Sequence, residues 1–248
     1  HMPPIRVKLG RALLDLRISV MDRCNFRCVY CMPEDKFHPG FKFLPSKERL
    51  SFDEMLRLVR IFTKLGVSKI RITGGEPLLR VNLTDFIGDL STIDKIKDIA
   101  LTTNGVLLKK YAYELKASGL DRITVSLDSI DPNEFKLMTG GRGDLDRVVS
   151  GIDEAQRAGF NDIKINAVIK KGINEKNILK MVTINAGKLL GKKIGCIKEG
   201  YLADAVFIKK NDLDLDPLRN AYECIVLITN ENSIQAVMIG GDIVHGKI

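Results

Sequence analysis

Three cysteines within eight residues constrain this chain more than anything else in it. Cys24, Cys28 and Cys31 lie in the run Cys24-Asn25-Phe26-Arg27-Cys28-Val29-Tyr30-Cys31, a CxxxCxxC spacing. Soft thiolates on one short loop suit iron–sulfur chemistry. Three of them can hold three irons of a [4Fe–4S] cluster and leave the fourth iron open to a small molecule. A zinc knuckle or a disulfide pair is the alternative. Zinc sites favour CxxC pairs with a second pair or histidines downstream, and the sequence offers no such partner. Cys196 and Cys224, far apart and without a pattern, read as free buried thiols. Five cysteines is an odd number. That usage fits a reducing cytosol, so a cytoplasmic protein is expected.

Composition narrows the class. The chain has 248 residues, 45% hydrophobic and 28% charged, which suits one large domain or one domain plus a small annex. No apolar stretch approaches the roughly 18–20 residues of a membrane span. No charged-then-apolar leader opens it, so neither membrane nor export is expected. The net charge of +8 suits a polyanionic ligand such as a nucleotide, or simply a charged surface. Aromatic residues are 6% and there is no Trp, so the aromatic-interleaved basic runs of a nucleic-acid binder are missing.

Strand-like and helix-like segments alternate. Residues 16–20, 68–73, 99–103, 122–127 and 163–169 are short apolar runs bearing β-branched residues. Between them lie amphipathic stretches. Ser51 and Glu54 form a capping-box pattern ahead of Met55, Leu58, Val59 and Phe62 at helical spacing, and Gly66 supplies the stop. Helices are also expected over 108–118 and 144–158. Such alternation predicts parallel strands joined by right-handed crossovers, as in a barrel or part of one, with chemistry at the C-terminal strand ends. The cysteine loop, Gly74-Gly75-Glu76-Pro77, Asn104-Gly105 and Asp128 all fall at such ends. After about residue 177 the style changes. A helix over 175–190 is expected, then short strands at 205–209, 224–228 and 235–239, with Gly240-Gly241-Asp242 marking a hairpin.

The cysteine loop followed by a Gly-Gly-Glu-Pro turn resembles the radical S-adenosylmethionine (SAM) enzymes. Further runs bring the resemblance to the GTP 3′,8-cyclase family of molybdenum cofactor biosynthesis: Arg17-Ile18-Ser19-Val20, Met32-Pro33-Glu34, Arg71-Ile72-Thr73-Gly74-Gly75-Glu76-Pro77-Leu78, Leu101-Thr102-Thr103-Asn104-Gly105, Val125-Ser126-Leu127-Asp128 and Lys164-Ile165-Asn166. It covers roughly residues 5–177. The resemblance implies an α/β fold, a partial (β/α) barrel of the radical SAM type. It implies Cys24, Cys28 and Cys31 on a [4Fe–4S] cluster, and Tyr30, Gly74, Gly75, Glu76 and Ser126 around SAM. It places Arg17, Arg71, Thr102 and Lys164 on GTP. The implied lyase reaction is reductive cleavage of SAM, hydrogen abstraction from the ribose of GTP and cyclisation, with a partner protein as reductant.

From about residue 178 the likeness stops. The family's second three-cysteine cluster, which holds the guanine base, has no counterpart, so impaired cyclisation is expected. Residues 178–248 instead resemble the C-terminal segment of amidohydrolase-superfamily deaminases, through the run Met181-Val182-Thr183-Ile184-Asn185-Ala186-Gly187 and the run Glu199-Gly200-Tyr201-Leu202-Ala203-Asp204-Ala205-Val206. That superfamily's metal sites need several histidines. This chain has three, His1, His38 and His245, too few for such a site. Two domains are therefore expected: 3–177, the radical SAM partial barrel, and 178–248, a small β-rich annex. Such a chain is a chimera or a truncated relative, catalytically silent in the alternative reading. Residues 205–209 are available as a sixth barrel strand.

Overall fold

The computed structural model describes residue 10 and residues 12–189, 191–209, 221–229 and 231–247. In chain order the elements are β1 (Asp15–Ser19), α1 (Phe52–Lys64), β2 (Lys69–Thr73), α2 (Leu83–Ser91), β3 (Asp98–Thr103), α3 (Leu108–Ala117), β4 (Arg122–Ser126), α4 (Pro132–Met138), α5 (Leu145–Arg157) and β5 (Ile163–Asn166). Then follow α6 (Glu175–Val182), α7 (Ile184–Leu189), β6 (Ala205–Ile208), α8 (Ala221–Glu223), β7 (Ile234–Ile239) and β8 (Asp242–Gly246). The chain divides into two compact units. One holds the described residues to Leu127 with Lys136–Asn166; the other holds Asp128–Phe135 and the residues from Ala167.

The first unit is the expected α/β architecture. Its five strands pair in parallel in the order β1-β2-β3-β4-β5. The register explains how the sheet is used. Arg17 stands opposite Arg71, Arg71 opposite Ala100, Thr102 opposite Thr124, and Thr124 opposite Lys164. Side chains alternate along a strand, so Arg17, Arg71, Thr102, Ser126 and Lys164 share one face. The opposite face carries Ile70, Ile72, Ile99, Leu101, Ile123 and Val125, all buried. Parallel sheets ordinarily bury both faces. A face lined with Arg, Lys and Thr gives up that apolar burial and is suited to binding a polar ligand.

Helices cover the apolar face with the residues their periodicity provides. In α1 these are Met55, Leu56 and Val59; in α2, Leu83, Phe86, Ile87 and Leu90; in α3, Leu108, Ala112 and Leu115. Burying each large side chain stabilises by about 1.5–3 kcal/mol. The Ser51–Glu54 capping box forms in full, and Asp144 caps α5 through the Arg147 N–H. Leu58, expected on the buried side of α1, is exposed, and Leu56 takes the core position instead. A Cβ on Gly151 would sit 2.5 Å from the Gly105 carbonyl oxygen, so glycine sets how closely α5 approaches the β3–α3 turn.

The second unit corrects three expectations. The helix expected over 175–190 is two helices, α6 and α7, broken at Thr183, whose φ of −118° and ψ of −96° leave the helical region; Leu190 lies outside the described residues. The run Cys224–Ile228, expected as a strand, continues α8 with a widened helical turn. Residues 205–209 do not add a sixth parallel strand. β6 pairs antiparallel with β7, and β7 with β8, in a separate three-stranded sheet. The Gly240-Gly241 hairpin does form, both glycines taking positive φ, 60° and 96°. Of the two thiols expected to be buried, Cys224 is buried and Cys196 only half-buried. No helix among the described residues is long and apolar enough to cross a membrane.

Candidate functional site

The three cysteines leave β1 on one loop, and none of them is in a disulfide. Arg27, buried inside that loop, ties it together. Its guanidinium donates to the carbonyls of Cys24 (2.9 Å), Phe26 (2.8 Å) and Phe37 (3.0 Å). The loop backbone is pinned from outside by Arg27 N–H to the Thr139 carbonyl and Val29 N–H to the Met138 carbonyl, both 3.1 Å. Gly140 lies so close to the Arg27 carbonyl that a Cβ there would overlap it.

The glycine turn after β2 is laced to the same loop. Gly75 N–H donates to the Met21 carbonyl, and Glu76 N–H to the Arg23 carbonyl at 2.8 Å. A Cβ on Gly74 would lie 2.5 Å from the Met21 carbonyl oxygen, and one on Gly75 would overlap the Arg23 carbonyl. The Cβ directions of both glycines are thus filled by the cysteine loop itself.

Glu76 braces this junction. Its buried carboxylate accepts from the Thr103 hydroxyl (2.7 Å), the Asn104 N–H (2.8 Å) and the Leu78 N–H (3.1 Å). Burial opposes the charge more strongly than these donors favour it, and the carboxyl is pushed up to about 7. Cys24 is also pushed up, by burial first, while the Phe26 N–H and the Asn104 amide act in the other direction. Those donors reach its sulfur at 3.4 Å and 3.8 Å.

The basic residues sit differently. Arg17 and Lys164 are exposed on the polar face of the sheet, Arg17 bonding only weakly to Thr73 Oγ1 at 3.4 Å. Arg71 is paired with Asp15 at 3.2 Å. Thr102 and Ser126 are half-buried on that face, and Tyr30 is exposed on the cysteine loop. The sequence reading missed a cleft of about 440 Å³ bounded by Gly74-Gly75, Met21, Met32 and the rings of Phe37, Phe41 and Phe43. Phe41 lies 4.8 Å from each of the other two rings. Three phenylalanines within seven residues were the available signal.

Among the described residues no three His, Cys, Asp or Glu side chains gather round a point where one metal ion would sit. A cluster does not ask for that, because each cysteine ligates its own iron. Three cysteines outside any disulfide on one braced loop, with N–H groups aimed at the sulfur of Cys24, fit such a group. The Radical SAM superfamily model matches residues 18–183.

The chain belongs to the radical SAM superfamily.

Radical SAM enzymes use a [4Fe–4S] cluster and S-adenosylmethionine, the pair anticipated from the cysteine loop and the resemblance. The GTP 3′,8-cyclase of Xanthomonas campestris pv. campestris (strain B100) is 50% identical over 179 residues, 72% of this chain and 52% of that protein. The GTP 3′,8-cyclase of Acidothermus cellulolyticus is 52% identical over 175 residues, 71% of this chain and 48% of that protein. This chain therefore spans about half the length of the curated relatives it matches. Among solved structures, Streptococcus suis SuiB bound to S-adenosylmethionine superposes with a TM-score of 0.55 at 22% identity, covering 68% of this chain and 37% of that one. HydG, a maturase of the [FeFe]-hydrogenase, gives 0.53 at 16% identity, covering 72% and 40%. At these identities the likeness is one of fold.

Proposed function

We propose that this chain carries the catalytic half of a GTP 3′,8-cyclase-type radical SAM enzyme. One observation carries the reading: the CxxxCxxC loop is locked to the Gly-Gly-Glu turn and to Asn104 at the C-terminal strand ends of a sheet whose polar face presents Arg17, Arg71, Thr102, Ser126 and Lys164. Cys24, Cys28 and Cys31 would hold the cluster. Bound there with SAM, it supplies the one-electron cleavage that yields a hydrogen-abstracting radical. Tyr30, Ser126 and the Gly74-Gly75 backbone would contact SAM, and the neighbouring phenylalanine-lined cleft has the volume of a small-ligand site.

The chain's own groups divide the remaining work. Glu76 keeps its carboxyl for Thr103, Asn104 and Leu78, so it holds the turn rather than the ligand. Arg17, Arg71 and Lys164 would bind the triphosphate, the arginines as forks and the lysine as a point charge. Arg71 must then exchange Asp15 for phosphate, and both groups of that pair are exposed, so the exchange costs little. Thr102 would orient the nucleoside. The electron must come from outside the chain, from a reductant protein, in the cytoplasm.

The test is anaerobic reconstitution followed by reaction with SAM, GTP and a reductant, separating 5′-deoxyadenosine from cyclised GTP. Release of 5′-deoxyadenosine that disappears in Cys28→Ala supports the reading. Iron uptake without SAM cleavage refutes it.

A second reading concerns residues 178–248. The family match ends at residue 183, and the tail forms its own antiparallel sheet. Both support a C-terminal segment distinct from the parallel sheet. Its kinship to the end of amidohydrolase deaminases, in a chimeric chain, rests on the sequence runs alone, and this sequence after Cys31 holds only Cys196 and Cys224 in place of a second three-cysteine run. Cyclisation should then lag far behind SAM cleavage. Equal yields of 5′-deoxyadenosine and cyclised GTP would refute that reading.

A further inference from the structure

Asn104 is placed to act on the cysteine loop from the C-terminal end of β3, two strands away from β1 in the sheet. It follows β3, is 8% exposed, and lies 80 residues from Cys24 in sequence. Every polar group of its side chain is committed. Its Oδ1 accepts the Val106 N–H at 3.2 Å, which fixes which end of the amide faces the loop. Its Nδ2 carries two hydrogens. One goes to Asn25 Oδ1 at 2.7 Å, the other toward Cys24 Sγ at 3.8 Å, a reach that the large radius of sulfur permits. Its backbone N–H is held by Glu76. The amide is therefore preset by β3 and the Glu76 brace, not by the loop it touches.

We propose that Asn104 is a positioning residue for the cluster: its amide clamps the cysteine loop through Asn25 and donates a hydrogen bond to the Cys24 sulfur that favours the reduced state. The proposal rests on the cluster assignment made above. A reduced cluster carries one more negative charge, and part of it resides on the thiolate sulfurs. An N–H aimed at such a sulfur stabilises the added charge and raises the reduction potential. The Phe26 N–H at 3.4 Å is a second donor to the same sulfur, but it belongs to the loop and moves with it. Asn104 is fixed to the sheet, so it sets where the sulfur sits as well as how easily its iron is reduced.

The experiment compares the wild-type chain, Asn104→Ala and Asn25→Ala after anaerobic reconstitution, reading iron per chain, the EPR spectrum of the reduced cluster and its midpoint potential. Asn104→Ala is expected to lower the reduced-to-oxidised ratio at fixed poise about tenfold, a shift of about 59 mV for one electron. Its EPR line positions should also change. Asn25→Ala keeps the donor to sulfur and loses only the clamp. It should keep the potential within a third of that shift but give up iron to a chelator several-fold faster than the wild type. If Asn104→Ala does not accumulate folded, Asn104→Asp is read in its place. It retains the acceptor for Val106, removes both donors, and should lower the potential at least as far. A folded, iron-loaded Asn104 variant with wild-type potential and spectrum overturns the proposal. A wild-type chain that takes up no iron overturns the cluster assignment, and this inference with it.

Discussion

Glu76→Gln should make the stability difference from the wild type change sign with pH. Glu76 is buried with three donors around it, and its carboxyl is raised from 4.5 to about 7. Between those values the unfolded chain has released a proton that the folded chain still holds. Stability contributed by this group is therefore complete below pH 4.5 and is lost as pH rises to 7. At about 1.4 kcal/mol per pH unit across that window, the loss is roughly 3 kcal/mol. Glutamine is neutral at every pH and escapes it. It introduces a different fault, because its NH2 must face a backbone N–H, of Leu78 or Asn104, that now lacks an acceptor. That costs about 1–2 kcal/mol. The wild type should thus be more stable by about 1 kcal/mol at pH 5 and less stable by about 1–2 kcal/mol at pH 8. Urea denaturation of the reduced, iron-free chain at both pH values, followed by circular dichroism, measures the difference. Every other group titrates alike in the two proteins and drops out of the comparison. A difference that stays constant within 0.5 kcal/mol would show that the carboxyl is ionised as usual in the folded state.

Other perturbations have equally definite outcomes. Gly75→Ala puts a methyl into the Arg23 carbonyl, so it should destabilise by about 1–3 kcal/mol and cut iron incorporation, read by denaturation and iron analysis. Ser51→Ala removes the α1 cap and should cost about 1 kcal/mol in urea denaturation while leaving iron content unchanged. Arg71→Ala should raise the KM for GTP while sparing 5′-deoxyadenosine release measured without GTP; an unchanged KM would place the triphosphate elsewhere.

The first unit was legible because its signals are local. Short β-branched runs, the Ser51–Glu54 box and the stop at Gly66 each act within one turn or strand, and the parallel order follows from alternation. The shared face of Arg17, Arg71, Thr102, Ser126 and Lys164 was not legible. It depends on register between strands, which no single segment encodes. The same holds for Glu76 and Asn104, whose partners lie up to 80 residues away. Glu76 stood out through the Gly-Gly-Glu-Pro run, but its partners did not, and the signature of Asn104 is only a polar residue at a strand end. The tail misled for a different reason. Cys224-Ile225-Val226-Leu227-Ile228 is apolar on every side, and a run that short has no period to separate strand from helix. Leu58 on α1 shows the same ambiguity, since both Leu56 and Leu58 lie within reach of the buried stripe.

Anaerobic reconstitution with iron and sulfide, then a single assay for 5′-deoxyadenosine from SAM under reductant, tests the central claim most directly. The account predicts close to four irons per chain and reductant-dependent 5′-deoxyadenosine, both lost in Cys28→Ala. A folded chain that binds zinc in place of a cluster, or that cleaves SAM as well without Cys28, would contradict it.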